Sequence, residues 1–323
     1  MKKIKTAVAW LVISILVLSA FAGCSLPSEG EGLTVICTVF PIYDWVKNVV
    51  GECDGIEVKL LVSGGADLHS YQPSVDDVIE LRSADVVIRV GGVDDSFVGD
   101  LMAKGGSGVD LRLIDADGIT LAETSDSSEH ESHHEHEHEH EHNVDEHIWL
   151  SFENAAASVK AICETMSEID GENASIFKVN ADRYIEELGA INALYRETVE
   201  SAEMRKMIFA DRFPFVYMTE EYGIEYEAAF AGCNTEAEAD FETVIRLSER
   251  ADQWNAKYIC ITESSDRRLA EGVIRATAKG DAEIVVFDSM QSVTEKEISA
   301  GETYLKIAEK NLAALKYVLS AEK

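Results

Sequence analysis

Short apolar runs alternate with amphipathic stretches along most of the chain, and this alternation predicts strands and helices in turn. In the first half, β-branched and apolar runs predict strands at 34–40, 56–62, 84–90 and 111–114. One helix is predicted to open at Pro41, because proline is tolerated in a first turn. A second is predicted from Ser74, which can cap it, with Asp77 at the third position. Continuous apolar strands between helices indicate a parallel sheet covered on both faces.

The second half repeats the alternation after a long helical stretch. A helix predicted at 151–169 ends before Gly171, and apolar residues then recur every three to five positions from 173 to about 203. A helix of about 30 residues would be about 45 Å long. Beyond it, strands are predicted at 206–210, 224–229, 258–262 and 283–287, and helices at 215–221, 235–252, 267–278 and 300–319.

The predicted fold class is therefore α/β, with two doubly wound parallel-sheet lobes joined by one long rigid helix and a cleft between the lobes. The predicted boundaries are 33–170 for the N-terminal lobe, 171–204 for the connecting helix and 205–323 for the C-terminal lobe. An acidic, histidine-rich insert at 122–144 interrupts the first lobe.

The N-terminus is predicted to be a targeting segment. Lysines at 2, 3 and 5 precede an uncharged apolar run at 6–20, and the small residues Ala22 and Gly23 precede Cys24. This pattern resembles a bacterial lipoprotein signal at 1–23, with Cys24 lipidated and 24–32 a flexible tether. The alternative is an ordinary secretory signal cleaved nearby. We expect an extracytoplasmic protein, anchored by lipid to the outer face of the cell membrane. Cys37 and Cys260 lie in apolar runs and are predicted to be core residues.

The net charge of −32, from 28 basic and 60 acidic residues, narrows the possible partners. Nucleic acid and anionic lipid both require clustered Lys and Arg, so neither is expected, and contact with the membrane is expected only through the anchor. An acidic surface suits a protein that meets cations, although it also keeps any protein soluble.

Eight of the nine histidines lie between Glu129 and Leu150. Seven of them alternate or nearly alternate with glutamate: His130, His133, His134, His136, His138, His140 and His142. Such a tract indicates a borderline transition metal, because neutral imidazole is the commonest protein metal ligand. The alternative is a solvated low-complexity loop. We expect the tract to gather metal weakly, since a flexible chain must be ordered before it chelates well.

The residues at strand ends are better candidates for a tight site, because ligands of open α/β sheets collect at the carboxyl ends of the strands. They are His69, Asp211, Glu263 and Asp288, joined by His147 after the insert. Two imidazoles with carboxylates would make a nitrogen and oxygen site suited to zinc or manganese. A carboxylate at a strand end is alternatively a helix cap or a surface group.

GADLHSYQPS, from Gly65 to Ser74, is similar to the pattern G-x-D-x-H-x-Y-x-P-S/T, and DEHIWL, from Asp145 to Leu150, is similar to D-x-H-x-W-L. These two motifs resemble those of the solute-binding lipoproteins of zinc and manganese ABC importers. The resemblance implies that His69, His147 and Asp288 bind metal and that the lobes close only slightly. It also implies that the chain, expected to be a monomer, delivers zinc, alternatively manganese, to a membrane permease with its ATPase.

The chain departs from the family at the third ligand, where Arg212 stands in place of a histidine or glutamate. Arginine stays cationic and cannot bind a metal ion. Asp211, Glu263 or water would then complete the shell, and Arg212 would orient one of the carboxylates.

Two other functions compete with metal capture for transport. One is a zinc-storage or adhesin-type surface protein in which the insert is the working part. The other is a secreted zinc hydrolase, which needs three ligands, an open position and a general base. The Glu146-His147 pair lacks a second histidine four residues on, and we therefore expect no enzyme.

Overall fold

A computed structural model describes residues 32–65, 68–123, 144–230 and 240–320. The predictions for the signal segment, Cys24 and the seven histidines of the insert lie outside the described residues. Within these ranges, no helix combines the length and the apolar character needed to cross a lipid bilayer.

The first lobe is built on a four-stranded parallel sheet in the order β2-β1-β3-β4. Its strands are β1 (Leu33–Cys37), β2 (Ile56–Leu60), β3 (Val86–Arg89) and β4 (Val109–Arg112). The helices around it are α1 (Phe40–Val50), α2 (Val75–Ser83), α3 (Ser96–Ala103) and α4 (Phe152–Ile169). The four residues of β3 are all buried, as expected for a strand covered on both faces.

The second lobe repeats this topology, with a parallel sheet in the order β6-β5-β7-β8. Its strands are β5 (Lys206–Phe209), β6 (Glu225–Ala228), β7 (Tyr258–Thr262) and β8 (Glu283–Phe287). The helices that follow the connecting helix are α6 (Val216–Tyr222), α7 (Phe241–Trp254), α8 (Arg268–Ala276), α9 (Glu295–Ser299) and α10 (Tyr304–Leu319). In each lobe the first strand has the second and third strands on its two sides, so the strand order reverses there and a crevice opens at the carboxyl ends.

The connecting helix α5 (Ala174–Glu200) has 27 residues and is therefore about 40 Å long. Its buried stripe contacts both lobes. The Tyr184 hydroxyl donates to Asp44 of α1 at 2.9 Å, and the Tyr195 hydroxyl donates to the carbonyl oxygen of Ala308 in α10 at 2.7 Å. Both tyrosines are buried. The helix is thus fixed to each lobe by packing and by a buried hydrogen bond.

The predicted fold class is confirmed: the chain forms two α/β lobes, each with an all-parallel sheet. The Ser74 cap is also present, since its side chain accepts from the backbone N–H of Asp77 while the Asp77 carboxylate accepts from the backbone of Ser74. Cys37 and Cys260 are fully buried, as expected for core residues.

Several element boundaries differ from the predictions for local reasons. The strand predicted at 34–40 ends at Cys37, because α1 begins at Phe40 with Pro41 in its first turn. Helix α3 was not predicted, since Gly99 and the flanking glycines obscure its short apolar pattern. The last predicted helix, 300–319, begins only at Tyr304, because Gly301 adopts a left-handed conformation (φ 89°) and Thr303 caps α10. The short helix α9 before it was not predicted.

Candidate metal site

The structure brings His69 and His147 together. His69 lies in a 3₁₀ turn (Leu68–Ser70) after β2, and His147 precedes a second 3₁₀ turn (Ile148–Leu150). Their ring centroids are 5.6 Å apart with an interplanar angle of 52°. The His147 side chain is 4% exposed and that of His69 is 12% exposed, so both imidazoles are largely shielded from water.

Each histidine pairs with a carboxylate through Nδ1. Asp94 Oδ2 lies 2.6 Å from Nδ1 of His69, and Asp145 Oδ1 lies 2.8 Å from Nδ1 of His147. With Nδ1 turned to a carboxylate, Nε2 is the nitrogen through which each ring can coordinate a metal ion, and the carboxylate raises its basicity. Burial would raise the pKa of Asp94, but the hydrogen bond and charge of His69 outweigh burial and hold this pKa below its ordinary value.

The loop that carries Asp94 is held by Glu146. The Glu146 carboxylate accepts from the backbone N–H groups of Val93 and Asp94. A Cβ at Gly92 would overlap the Glu146 side chain, so glycine lets this carboxylate approach the loop as closely as it does. Burial and, next, the charge of Asp94 raise the pKa of Glu146 to about 7.

The motif residues after His69 fasten its turn to α2. The Tyr71 hydroxyl donates to Asp77 Oδ2 at 2.8 Å, and the same oxygen accepts from the backbone N–H of Ser74 at 2.7 Å. Tyr71 and Ser74 therefore anchor the chain on the C-terminal side of His69 to the start of a helix.

The His147 segment is held by residues of the second lobe. The Tyr217 hydroxyl donates to the carbonyl oxygen of Asp145 at 2.6 Å, and the Tyr304 hydroxyl donates to that of Trp149 at 2.5 Å. Trp149 packs edge-on against His147, with ring centroids 5.1 Å apart. Since these partners come from distant parts of the chain, His147 lies where the two lobes meet.

Asp288 follows β8, and its main chain is fixed by one side chain. The Asp288 N–H donates to Asn311 Oδ1, and its C=O accepts from Asn311 Nδ2, both at 2.8 Å. Burial and, next, the charge of Glu263 raise the pKa of Asp288 to about 6.

Asp211 and Glu263 use their carboxylates in hydrogen bonds within the second lobe. Asp211 Oδ2 accepts from the backbone N–H and the hydroxyl of Thr262, at 3.0 and 2.7 Å, and thereby joins the ends of β5 and β7. Glu263 accepts from the backbone N–H and hydroxyl of Ser289, both at 2.8 Å. Arg212 is exposed, and its backbone N–H donates to Asp211 Oδ1 at 2.8 Å.

A comparison with protein families identifies the family of this chain. The model of the ZnuA family, described as "Zinc-uptake complex component A periplasmic", matches residues 35–318. The chain belongs to the ZnuA family.

Known relatives agree with this assignment. The chain is 30% identical over 292 residues to the high-affinity zinc uptake system protein ZnuA of Bacillus subtilis, covering 90% of this chain and 89% of that protein. It is 29% identical over 327 residues to the zinc-binding lipoprotein AdcA of Streptococcus pneumoniae, of which it spans 62%. The crystal structure of the Zn(II)-bound ZnuA-like domain of that AdcA superposes with a TM-score of 0.71 at 25% identity, covering 89% of this chain and 99% of the domain.

Of the five candidate ligands of this ZnuA-family chain, the structure places the two histidine rings side by side and Glu263 near Asp288. In residues 32–65, 68–123, 144–230 and 240–320, no three His, Cys, Asp or Glu side chains form a group that could hold a metal ion. The part played by Asp288, Asp211, Glu263 and Arg212 in metal binding stays a prediction.

Sequence reasoning missed the groups that support the histidines. Asp145 lies inside the quoted motif and could have been noticed there. Asp94 follows a strand and two glycines, and the carboxyl end of a strand is where ligands of α/β sheets usually bind. Glu146 and Trp149 also lie in the motif, but their roles depend on partners 52 to 155 positions away along the chain. No local pattern reports such contacts.

Proposed function

We propose that this protein captures a divalent transition metal ion, with zinc as its main cargo, outside the cytoplasm and delivers it to the permease of an ABC importer. The observation that carries the proposal is the shielded pair of His69 and His147, each with a carboxylate on Nδ1. This arrangement is typical of ligating histidines, whose other ring nitrogen is held by a carboxylate or a carbonyl group. Membership of a family described by zinc uptake supports the same cargo.

Two imidazoles favour zinc over manganese. Zinc accepts nitrogen ligands readily, whereas a shell dominated by carboxylate and water oxygens suits manganese. Manganese remains the alternative cargo, and the oxygen ligands that complete the shell decide between them.

Asp288 is the carboxylate that we propose as the third ligand. Its pKa is raised to about 6, and its Oδ1 accepts from the Met290 N–H. In Asp211 and Glu263, by contrast, both carboxylate oxygens accept hydrogen bonds from strand-end neighbours. Because the described side chains hold no three-ligand group, we propose that a displacement carries Asp288 towards the histidines when metal binds. The long helix α5, bonded to both lobes, favours a small closure over a wide hinge.

The insert and the anchor have accessory roles in this proposal. An antiparallel bridge between Glu123 and Val144 joins the two ends of the insert, three residues before His147. Metal gathered by the seven histidines would therefore be released close to the tight site. Lipidation at Cys24 would hold the protein near its permease and ATPase.

Competition with a chromophoric chelator tests the proposal. We expect the metal-free protein, without its signal segment, to take up one zinc ion tightly, and His69→Ala or His147→Ala to abolish that tight uptake because each removes a ligand. His142→Ala, which removes one histidine of the insert, is the matched control and should leave the tight affinity unchanged. Tight zinc uptake by both site variants would contradict the proposal.

A further inference from the structure

The turn Asp288–Met290 is held in an unfavourable backbone conformation. Met290 has φ 65°, in the left-handed region that residues with a side chain rarely adopt. Its N–H donates back to Asp288 Oδ1 at 2.7 Å, and its side chain is buried. A strained backbone persists only where its surroundings fix it, and such positions cluster at functional sites.

Ser289, at the centre of this turn, is fixed by every polar group that it has. Its N–H and its hydroxyl both donate to Glu263 at 2.8 Å, one to each carboxylate oxygen. Its carbonyl oxygen accepts from Trp149 Nε1 at 2.9 Å. Ser289 is only 3% exposed, so water does not compete with these bonds.

Trp149 carries this connection across to the other candidate ligand. The tryptophan is two residues after His147 and packs edge-on against its ring. A continuous series of contacts therefore runs from Glu263 through Ser289 and Trp149 to His147. It joins the proposed ligand of the second lobe to a histidine of the first.

We propose that Glu263 is a positioning residue, which holds the Asp288 turn through Ser289 and sets its place relative to His147 through Trp149. This inference rests on the proposed function and assigns Glu263 a role other than metal ligand. A bidentate acceptor of two hydrogen bonds from one residue fixes both the distance and the orientation of the turn. Loss of the hydrogen-bond partner of a ligand typically lowers metal affinity about 10- to 100-fold.

Three variants separate positioning from ligation. Glu263→Ala removes both bonds to Ser289, and Trp149→Phe removes the bond to its carbonyl oxygen while keeping an aromatic ring. Both should lower zinc affinity about 10- to 100-fold. Glu263→Gln keeps a planar group that can accept the Ser289 N–H while its amide donates to the hydroxyl. It should therefore remain much closer to the wild-type affinity than Glu263→Ala does.

Trp45→Phe is the matched control for Trp149→Phe. Trp45 is also fully buried in the core, and its Nε1 has no hydrogen-bond partner among the described residues. The Trp45→Phe variant should therefore keep the wild-type zinc affinity. The thermal midpoint of each metal-free variant shows whether it is folded, and the visible absorption of bound Co²⁺ reports the ligand geometry. We expect that spectrum to change in Glu263→Ala and Trp149→Phe but not in Trp45→Phe.

The outcomes are distinct. If Glu263→Gln loses as much affinity as Glu263→Ala, Glu263 is a ligand and the positioning role is refuted. The positioning role is also refuted if the folded Glu263→Ala and Trp149→Phe variants bind zinc as tightly as wild type and show an unchanged Co²⁺ spectrum. If the wild-type protein binds neither Zn²⁺ nor Co²⁺, the proposed function itself fails.

Discussion

At the scale of single residues, carboxylates support the two histidines of the proposed site. Asp94 and Asp145 each lie against Nδ1 of one histidine, and Glu146 holds the loop that presents Asp94. The histidines could be predicted from their motifs, because imidazole is an informative residue type. A carboxylate is common in an acidic chain, and only its three-dimensional neighbours distinguish a histidine partner from a surface group.

Asp145→Asn is the prediction that belongs to this scale. The substitution removes the negative charge beside His147 while it keeps an oxygen that can accept from Nδ1. We expect zinc affinity to fall about 10- to 100-fold, as is usual for partners of ligating histidines. Competition with a chromophoric chelator measures this affinity. Asp100→Asn, at a side chain that is 72% exposed, is the control. Equal affinities for the two variants would contradict the role of Asp145.

At the scale of elements, the apolar pattern predicted the eight strands of the described residues. The signal is clearest for β1, β3, β5 and β7, because a mostly buried strand leaves a continuous run of apolar residues. The short helices α3 and α9 were not predicted, since each is too short to show a helical period. The contact between Trp149 and Ser289 could not be predicted either, because it joins residues 140 positions apart. The sequence therefore predicts most of the elements, whereas the contacts between them are visible only in the structure.

The attachment of α5 to the first lobe gives a pH-dependent prediction. Burial raises the pKa of Asp44 to about 6, although the hydrogen bond from Tyr184 opposes the shift. The protonated form is therefore favoured in the folded state. The contribution of the Asp44 carboxyl to the stability of the fold is complete below the pKa that it has in the unfolded chain, about 4. It is lost as the pH rises through about 6, its pKa in the folded state.

Asp44→Asn removes this titration. The difference in the free energy of unfolding, variant minus wild type, should increase by about 1–3 kcal/mol from pH 4 to pH 7.5. A two-unit pKa shift corresponds to at most about 3 kcal/mol. Chemical denaturation of the metal-free protein at both pH values measures the change. A stability difference that does not vary with pH would contradict this account of Asp44.

At the scale of the whole molecule, the two lobes share one topology and meet around the His147 segment. Tyr217, Ser289 and Tyr304 of the second lobe all bond to residues 145–149. The segment therefore belongs to the first lobe by sequence and is held by the second. A strongly acidic chain of this kind, with net charge −32, attracts divalent cations and repels anionic surfaces.

The coordination shell of zinc in a protein that lacks residues 129–142 tests the central claim most directly. X-ray absorption on the singly loaded protein counts imidazole ligands without any contribution from the insert. We predict that one zinc ion is retained tightly, with two imidazole nitrogens, from His69 and His147, and the remaining ligands oxygen. Loss of tight binding on removal of the insert, or a shell without histidine, would contradict the account.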